Sequence, residues 1–567
     1  MNPIHTIELA EDWVFRRGDK PGWAAPGMDE KGWSPIKVGV AWQAAGHPGY
    51  NGWGWYRTRV RIPLALRDNP VYVRTHAILL SLGPVDDCDQ TFLNGREVGQ
   101  TGGLPPNYAS AYNVPRRYRI PEEMIKWDAD NTIAVRVFDG GGNGGICPGP
   151  VALGLPGLAD FITAEIGLGR GDGIFNGPDP VPVALTIRNG YVTTIKGTLV
   201  GRIATDDKKP VKDLEKDVEI PRDGTGKAEF AFTPPHPGFY RVDFSIASAA
   251  DGASFSAGMN LGFDPEKQVA PLTRQDDFRE YWDDARKELA GIAPGYALTR
   301  KPELDNQAVE VSLVEMRSIG DARIRGWLTV PKKPGRYPAI LQVPGHSAPM
   351  SPALDVTDMV VLALDIRGHG NSKDDVNPGF PGYMVCGIGD KMKYIYRGAY
   401  MDCVRGVDYL VSRPDVDLER IAVEGGSQGG ALSFATAALD PRIAATAPDV
   451  PFLSDFHGYC AVADWPKNEF AGWLDQNPGK TWEDVHRVLS YIDIKNLAPW
   501  IKCPVLMSAG LQDPVCPPRI NFAAYNQVKG DKEYRVYPHG DHGGGGDVHR
   551  KLKYAWIRKR FGLGAGS

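Results

Sequence analysis

The stretch IAVEGGSQGG, residues 421–430, places one serine between two glycine pairs. Arg420–Glu424 reads as a buried strand and Ala431–Ala438 as a helix, so Ser427 falls on a tight strand-to-helix turn. Glycines there let strand and helix approach without Cβ clashes, and the turn holds the serine in a strained backbone conformation. Its hydroxyl then projects at the carboxyl end of a sheet, near the positive end of a helix. Such a serine is a candidate nucleophile, and a nucleophile of this kind needs a base that is itself oriented by an acid.

After an elbow of this type the acid precedes the base along the chain. The apolar strand Pro504–Met507 runs into Ser508-Ala509-Gly510-Leu511-Gln512-Asp513, which puts Asp513 in a loop just past a buried strand. The next strand, Glu533–Tyr537, runs into Pro538-His539-Gly540-Asp541-His542. Both loops fall at the carboxyl edge of the sheet, where ligands bind in such folds. Three histidines compete for the base: His539, His542 and His549. His542 lies furthest into the loop before the glycine run 543–546, where it can turn back toward Ser427, and it is the favoured candidate. A metal reading of His539, Asp541, His542, Asp547 and His549 is the weaker one, because such clusters on glycine-rich loops usually hold no ion. An oxyanion needs two backbone N–H groups. The expected donors are Gln428, next after the nucleophile, and His346, in the loop Pro344-Gly345-His346-Ser347 beyond the strand Ala339–Val343.

The elements that must position these residues occupy the second half of the chain. From about 271 the pattern is helical (Phe278, Trp282, Ala285 and Leu289 in DDFREYWDDARKELA), and apolar strands then alternate with helices. That alternation predicts a mostly parallel sheet with helices on both faces over residues 266–567. Residues 1–162 read differently. Half of all tryptophans lie before residue 128, and alternating runs such as Trp55–Ile62 and Thr132–Phe138 are punctuated by turns such as Asn94-Gly95, predicting a β jelly-roll sandwich. Residues 163–265 continue as alternating strands with Pro, Gly and Asp turns, the spacing of an immunoglobulin-like β-sandwich. The glycine run 140–145 is no phosphate loop, since no helix comes after it.

Composition excludes several functions. The 567 residues carry a formal net charge of −5, with 23% charged and 42% hydrophobic residues and no basic block, which argues against nucleic acid as a partner. No run of apolar residues is long enough to span a membrane. The opening MNPIHTIELAEDW lacks the pattern of a signal peptide, so the expectation is a soluble protein, cytoplasmic unless a leader for export has been removed. The seven cysteines show no metal or disulfide spacing and are expected to be free and mostly buried.

From about 271 onward the chain resembles the acetyl xylan esterase and cephalosporin-C deacetylase family, carbohydrate esterase family seven. The likeness is carried by GGSQGGALSFATAALDPRI, APDVPFLSDF, GYMVCGIGDKMKYIYRGAYMDCVRGVDYL, LSYIDIKNLA, GLQDPVCPP and FAAYN. It implies an α/β-hydrolase with Ser427, Asp513 and His542 as catalytic triad and no metal or organic cofactor. Three positions depart from the family pattern. Arg367-Gly368-His369 stands where the family has Arg-Gly-Gln, His542-Gly543 where it has His-Glu, and Pro344-Gly345-His346 where it has His-Gly-Tyr. These changes bear on substrate and acyl preference, with Arg367, His369 and Tyr383 as candidate pocket residues. The first domain resembles galactose-binding-like sandwiches found beside glycan-active enzymes, through GYNGWGWYR, LGPVDDCDQTFLNGREVG and NTIAVRVFDGGGNGGI. Tyr50, Trp53 and Trp55 are its candidate sugar-binding residues, although most tryptophans of such domains are core.

The function expected on these grounds is removal of O-acetyl groups from carbohydrate, acetylated xylan or another glycan. The rival readings are a feruloyl or other acyl esterase or a prolyl-type peptidase on the same fold, and a glycan-binding protein whose hydrolase domain has decayed. Relatives often form closed oligomers, an assembly that two added domains could block.

Overall fold

Alternation of apolar and polar residues with a period of two builds most of the first 263 residues as antiparallel sheet. The computed structural model describes residues 6–247 and 254–564. Residues 1–5 of the opening stretch, and residues 248–253 within the 163–265 region read as alternating strands, lie outside them. In the first region a six-stranded sheet centres on Gly52–Arg61 paired with Asp130–Asp139. A five-stranded sheet centres on Ile78–Asp86. Asn94 and Gly95, with φ of 52° and 82°, make the two-residue turn between Cys88–Leu93 and Arg96–Thr101, the positive φ pair that such hairpins require.

The second region has a three-stranded sheet of Ile162–Gly167, Val181–Asn189 and Thr225–Phe232, and a five-stranded sheet that includes Ile195–Thr205, Gly238–Ala247 and Ser254–Phe263. One continuous apolar cluster runs through both regions, from Leu9 to Phe263.

The remainder folds around a nine-stranded sheet. Its strands are β1 (Ala297–Arg300), β2 (Val309–Arg317), β3 (Arg323–Pro331), β4 (Tyr337–Gln342), β5 (Val360–Asp365), β6 (Val416–Gly426), β7 (Ala445–Asp449), β8 (Val505–Gly510) and β9 (Lys532–Tyr537). Their spatial order is β1-β2-β3-β5-β4-β6-β7-β8-β9. The first three join by antiparallel pairing, and β3 pairs antiparallel with β5. From β5 through β9 every pairing is parallel. Successive residues of one strand face opposite layers. Leu341, Leu362, Val423 and Met507 enter a core shared with α1 (Phe278–Ala290), α2 (Ile395–Val411) and α3 (Gln428–Leu439). Ile340, Val361, Ala422 and Leu506 pack against Tyr554, Trp556 and Ile557 of a C-terminal helix, Gly546–Arg560. Burial on both faces accounts for strands that read as continuous apolar runs. All seven cysteines are free. Among the described residues no helix is long and apolar enough to cross a membrane.

Buried charge ties the carboxyl ends of the strands together. Lys553 bridges Glu424 at 2.6 Å and Asp449 at 2.5 Å. Burial opposes its charge, but the two carboxylates hold Lys553 protonated above its ordinary range. A buried ammonium persists only with such partners, and here it clamps the strand that leads into the serine.

Candidate active site

Ser427 sits between β6 and α3 with φ 58° and ψ −117°, a conformation that a non-glycine residue holds only when its surroundings impose it. Its N–H donates to the Asp449 carbonyl at 2.9 Å, and its carbonyl accepts from Phe452 N–H at 3.0 Å. The glycines make the approach possible. A Cβ on Gly425 would lie 2.6 Å from the Val343 carbonyl oxygen, and one on Gly429 would lie 2.5 Å from the same atom. Gly426 has room for a Cβ, so the steric demand is narrower than the four-glycine pattern suggests.

Asp513, in the loop after β8, is buried. Its Oδ1 accepts the N–H groups of Val515 and Cys516, both at 2.8 Å. Its Oδ2 lies 2.9 Å from His542 Nδ1. A carboxylate only accepts, so Nδ1 is the donor and Nε2 is the ring nitrogen left for another partner. Cys516 joins this pair to the serine: its Sγ is 3.8 Å from Ser427 Oγ, and the ligand atoms of Asp513, Cys516 and His542 all lie within 4.8 Å of one another. Those three residues have metal-ligating types. Burial, reinforced by the Asp513 charge, pushes the Cys516 thiol well above its ordinary range, and both Asp513 oxygens are already engaged, by the Val515 and Cys516 N–H groups and by His542.

The other two histidines are elsewhere. His549 is buried, with Nε2 2.8 Å from Asp449 and Nδ1 2.8 Å from the Tyr537 hydroxyl, and serves the strand-end network. His539 is exposed.

Gln428 occupies the first position of α3, where helix geometry leaves the backbone N–H without an intrahelical acceptor. Its side chain is fully buried and held on several sides. The amide Oε1 accepts from the Tyr396 hydroxyl at 2.8 Å and from His346 Nδ1 at 3.3 Å. Nε2 donates to His369 Nε2 at 3.0 Å and to the Pro344 carbonyl at 3.4 Å. The departures at positions 346 and 369 therefore meet on one amide. Burial pushes both imidazoles down to about 4, and each is neutral at pH 7. The His346 ring is edged by Phe380 and Trp465 at centroid distances of 4.7 and 5.1 Å.

The structure corrects part of the expected pocket. His369 and Tyr383 have no exposed surface, so neither lines an open pocket; His369 meets Gln428, and the Tyr383 ring packs edge-on against His346 and His369. Arg367 commits its guanidinium to Asp402, at 2.9 and 2.7 Å, and its carbonyl accepts the Tyr383 hydroxyl at 3.0 Å. In the first region Trp55 is fully buried, stacked on Phe92 and donating to Asp19, which removes it from any glycan surface. Trp53 is half-buried with Arg136 over its ring at 4.1 Å, and Tyr50 is half-buried with Arg17 at 4.5 Å.

Sequence reasoning missed the attachment of the acid loop to the β regions. Asn260 N–H donates to Gln512 Oε1 at 3.0 Å, and Gln512 Nε2 donates to the Asn260 carbonyl at 3.2 Å and the Pro538 carbonyl at 2.7 Å. One amide thus joins the second β region, the acid loop and the histidine loop. Arg519 pairs with Asp206, Nε to Oδ2 at 2.6 Å. From the first region Tyr112 stands near enough that, after burial and Asp86, the charges of Asp513 and Asp541 help push its hydroxyl up. No signal in a single sequence marks such contacts.

A serine on a strained strand-to-helix turn, a buried aspartate bonded to a histidine, and a parallel sheet beneath them define a hydrolase of the α/β class. The chain belongs to the acetyl xylan esterase family, whose model matches residues 266–560, and it is a carboxylic ester hydrolase. It is 31% identical over 349 residues to the acetyl esterase Axe7A of Xylanibacter ruminicola, covering 58% of this chain and 76% of that protein. The solved acetyl xylan esterase from Paenibacillus sp. R4 is 33% identical, with a TM-score of 0.50, over 52% of this chain and 98% of its own.

Proposed function

We propose that Ser427, His542 and Asp513 form a catalytic triad that removes O-acetyl groups from acetylated xylan or a related oligosaccharide. The observation that carries this reading is the Asp513–His542 hydrogen bond beside a serine held in elbow geometry. Family membership supports the acetylated carbohydrate as substrate. Ser427 Oγ attacks the acetyl carbonyl carbon as its proton passes to His542 Nε2. The Gln428 and His346 N–H groups receive the oxyanion. Collapse expels the sugar oxygen, which takes the proton from His542, and water then hydrolyses the acetyl-enzyme by the same route. Asp513 keeps His542 in the required tautomer. The aromatic edge formed by Phe380 and Trp465 beside His346 favours a short acyl group. Ahead of this α/β-hydrolase domain (266–567) we assign residues 1–162 to a galactose-binding-like jelly roll and 163–265 to an immunoglobulin-like sandwich.

Acetate release from acetylated xylo-oligosaccharides tests the reading. Native protein should release acetate, and Ser427→Ala, still folded by circular dichroism, should lose roughly 10⁵-fold or more of the turnover. Retained turnover in the variant would reject the triad. Native protein that hydrolyses long-chain or aromatic acyl esters better than acetyl would reject the acyl assignment.

A further inference from the structure

A cavity of about 510 Å³ lies between the second β region and the hydrolase domain, within the size range of small-ligand sites. One wall is the acid loop and the start of the helix beyond it: Asp513, Pro514, Pro517 and Pro518, with Val462 beside them. This wall includes the acid itself and flanks Cys516, whose sulfur touches Ser427 Oγ. The opposite wall comes from residues 202–260, which lie outside the part of the chain that the family model matches. The cavity is therefore a feature of this chain's domain arrangement, placed against the reacting end of the hydrolase.

Its charges are unevenly satisfied. Asp206 is bound by Arg519, and Asp243 by Arg241 at 2.8 Å. Arg202 and Lys208 also line the cavity, are exposed, and make no ion pair among the described residues. Two cations that form no ion pair, beside the apolar surface of Pro514, Pro517 and Pro518, suit a ligand that carries a carboxylate on a ring with an apolar face. The walls are fixed relative to each other by the Gln512–Asn260 and Arg519–Asp206 contacts.

We propose that this cavity is a binding site for a uronic acid residue of the oligosaccharide substrate, gripped by Arg202 and Lys208, so that the enzyme favours acidic over neutral acetylated chains. The inference rests on the deacetylase reading for its biological sense, and binding tests it without turnover. Calorimetry on the full-length Ser427→Ala protein compares a xylo-oligosaccharide bearing one glucuronic acid with the unsubstituted oligosaccharide of equal length. The acidic ligand should bind about tenfold more tightly, and added salt should narrow the gap. Arg202→Ala/Lys208→Ala, whose changes are at exposed side chains, should remove the preference while leaving affinity for the neutral chain unchanged. Equal affinity for the two ligands, or a preference that survives the double substitution, overturns the proposal. Failure of the deacetylase reading would show separately, as no acetate release by the native protein from either chain in acetylated form.

Discussion

The two halves of the proposed active site are held by different means. The nucleophile half comprises Ser427, Gln428 and the 344–346 loop. It is supported from within the hydrolase domain by Tyr396, His346 and His369 around one amide and by Lys553 beneath the strand ends. The acid–base half comprises the loops carrying Asp513 and His542. It is supported from outside, by Asn260 of the second β region through Gln512 and by Asp206 through Arg519. On the proposed triad, the nucleophile has a geometry intrinsic to one βα unit and the acid a geometry that depends on a neighbouring domain. In the proposed mechanism the added β regions are thus mechanical supports of the acid loop as well as candidate substrate surfaces.

Substitutions that strike the halves separately test this contrast. The largest effect should come from Asp513→Asn, which keeps the shape of the acid but presents an amide to His542 Nδ1; kcat should fall about 10⁴-fold with little change in fold. A loss under tenfold would mean that Asp513 does not orient the base. Next, Gln428→Leu should strip partners from buried His369 and Tyr396 and let the oxyanion N–H drift. Both readouts should move, kcat by about 10²-fold and unfolding free energy by about 1–3 kcal/mol, the latter from urea midpoints. Gln512→Ala should act on activity alone, lowering kcat by about tenfold while the urea midpoint barely shifts, because the amide it removes links loops at a half-buried edge. Equal damage to stability and rate would erase the distinction between the halves.

A separate expected effect is on pH dependence. His346 and His369 are neutral in the folded protein down to about pH 4, whereas an unfolded histidine takes up its proton near pH 6.5. Between those values the unfolded state binds more protons, so stability should fall as pH is lowered from about 6.5 toward about 4 and level off below. Urea titrations at pH 7, 6 and 5 read this slope. His369→Gln, which keeps an acceptor for Gln428, should flatten it, and an unchanged slope would show that burial of this ring is not the source.

Local patterns carried much of the architecture. The helix read from Phe278, Trp282, Ala285 and Leu289 is α1, with all four side chains buried, because a period of 3.6 is a property of consecutive residues. The Asn94-Gly95 hairpin and the strands around Trp55 and Val135 were legible for the same reason. The glycine-flanked serine announced its strand, turn and helix within ten residues, and the order of serine, aspartate and histidine came from the order of strand ends.

What the chain could not disclose locally was decided by contacts between distant residues. His542 and Asp513 meet from positions 29 apart, and that meeting distinguishes His542 from His539 and His549. Trp55, Tyr383 and His369 bear residue types suited to binding, yet packing placed them inside, and nothing in their immediate sequence separates a core aromatic from a surface one. The Gln512–Asn260 pair spans 252 residues. Sequence by itself determined the elements and the chemistry that each strand end presents, since both depend on neighbours along the chain. Tertiary structure alone decided which side chains face Ser427, which stand behind it, and which domain holds the Asp513 loop in place, because those outcomes depend on docking surfaces assembled from residues far apart in the chain.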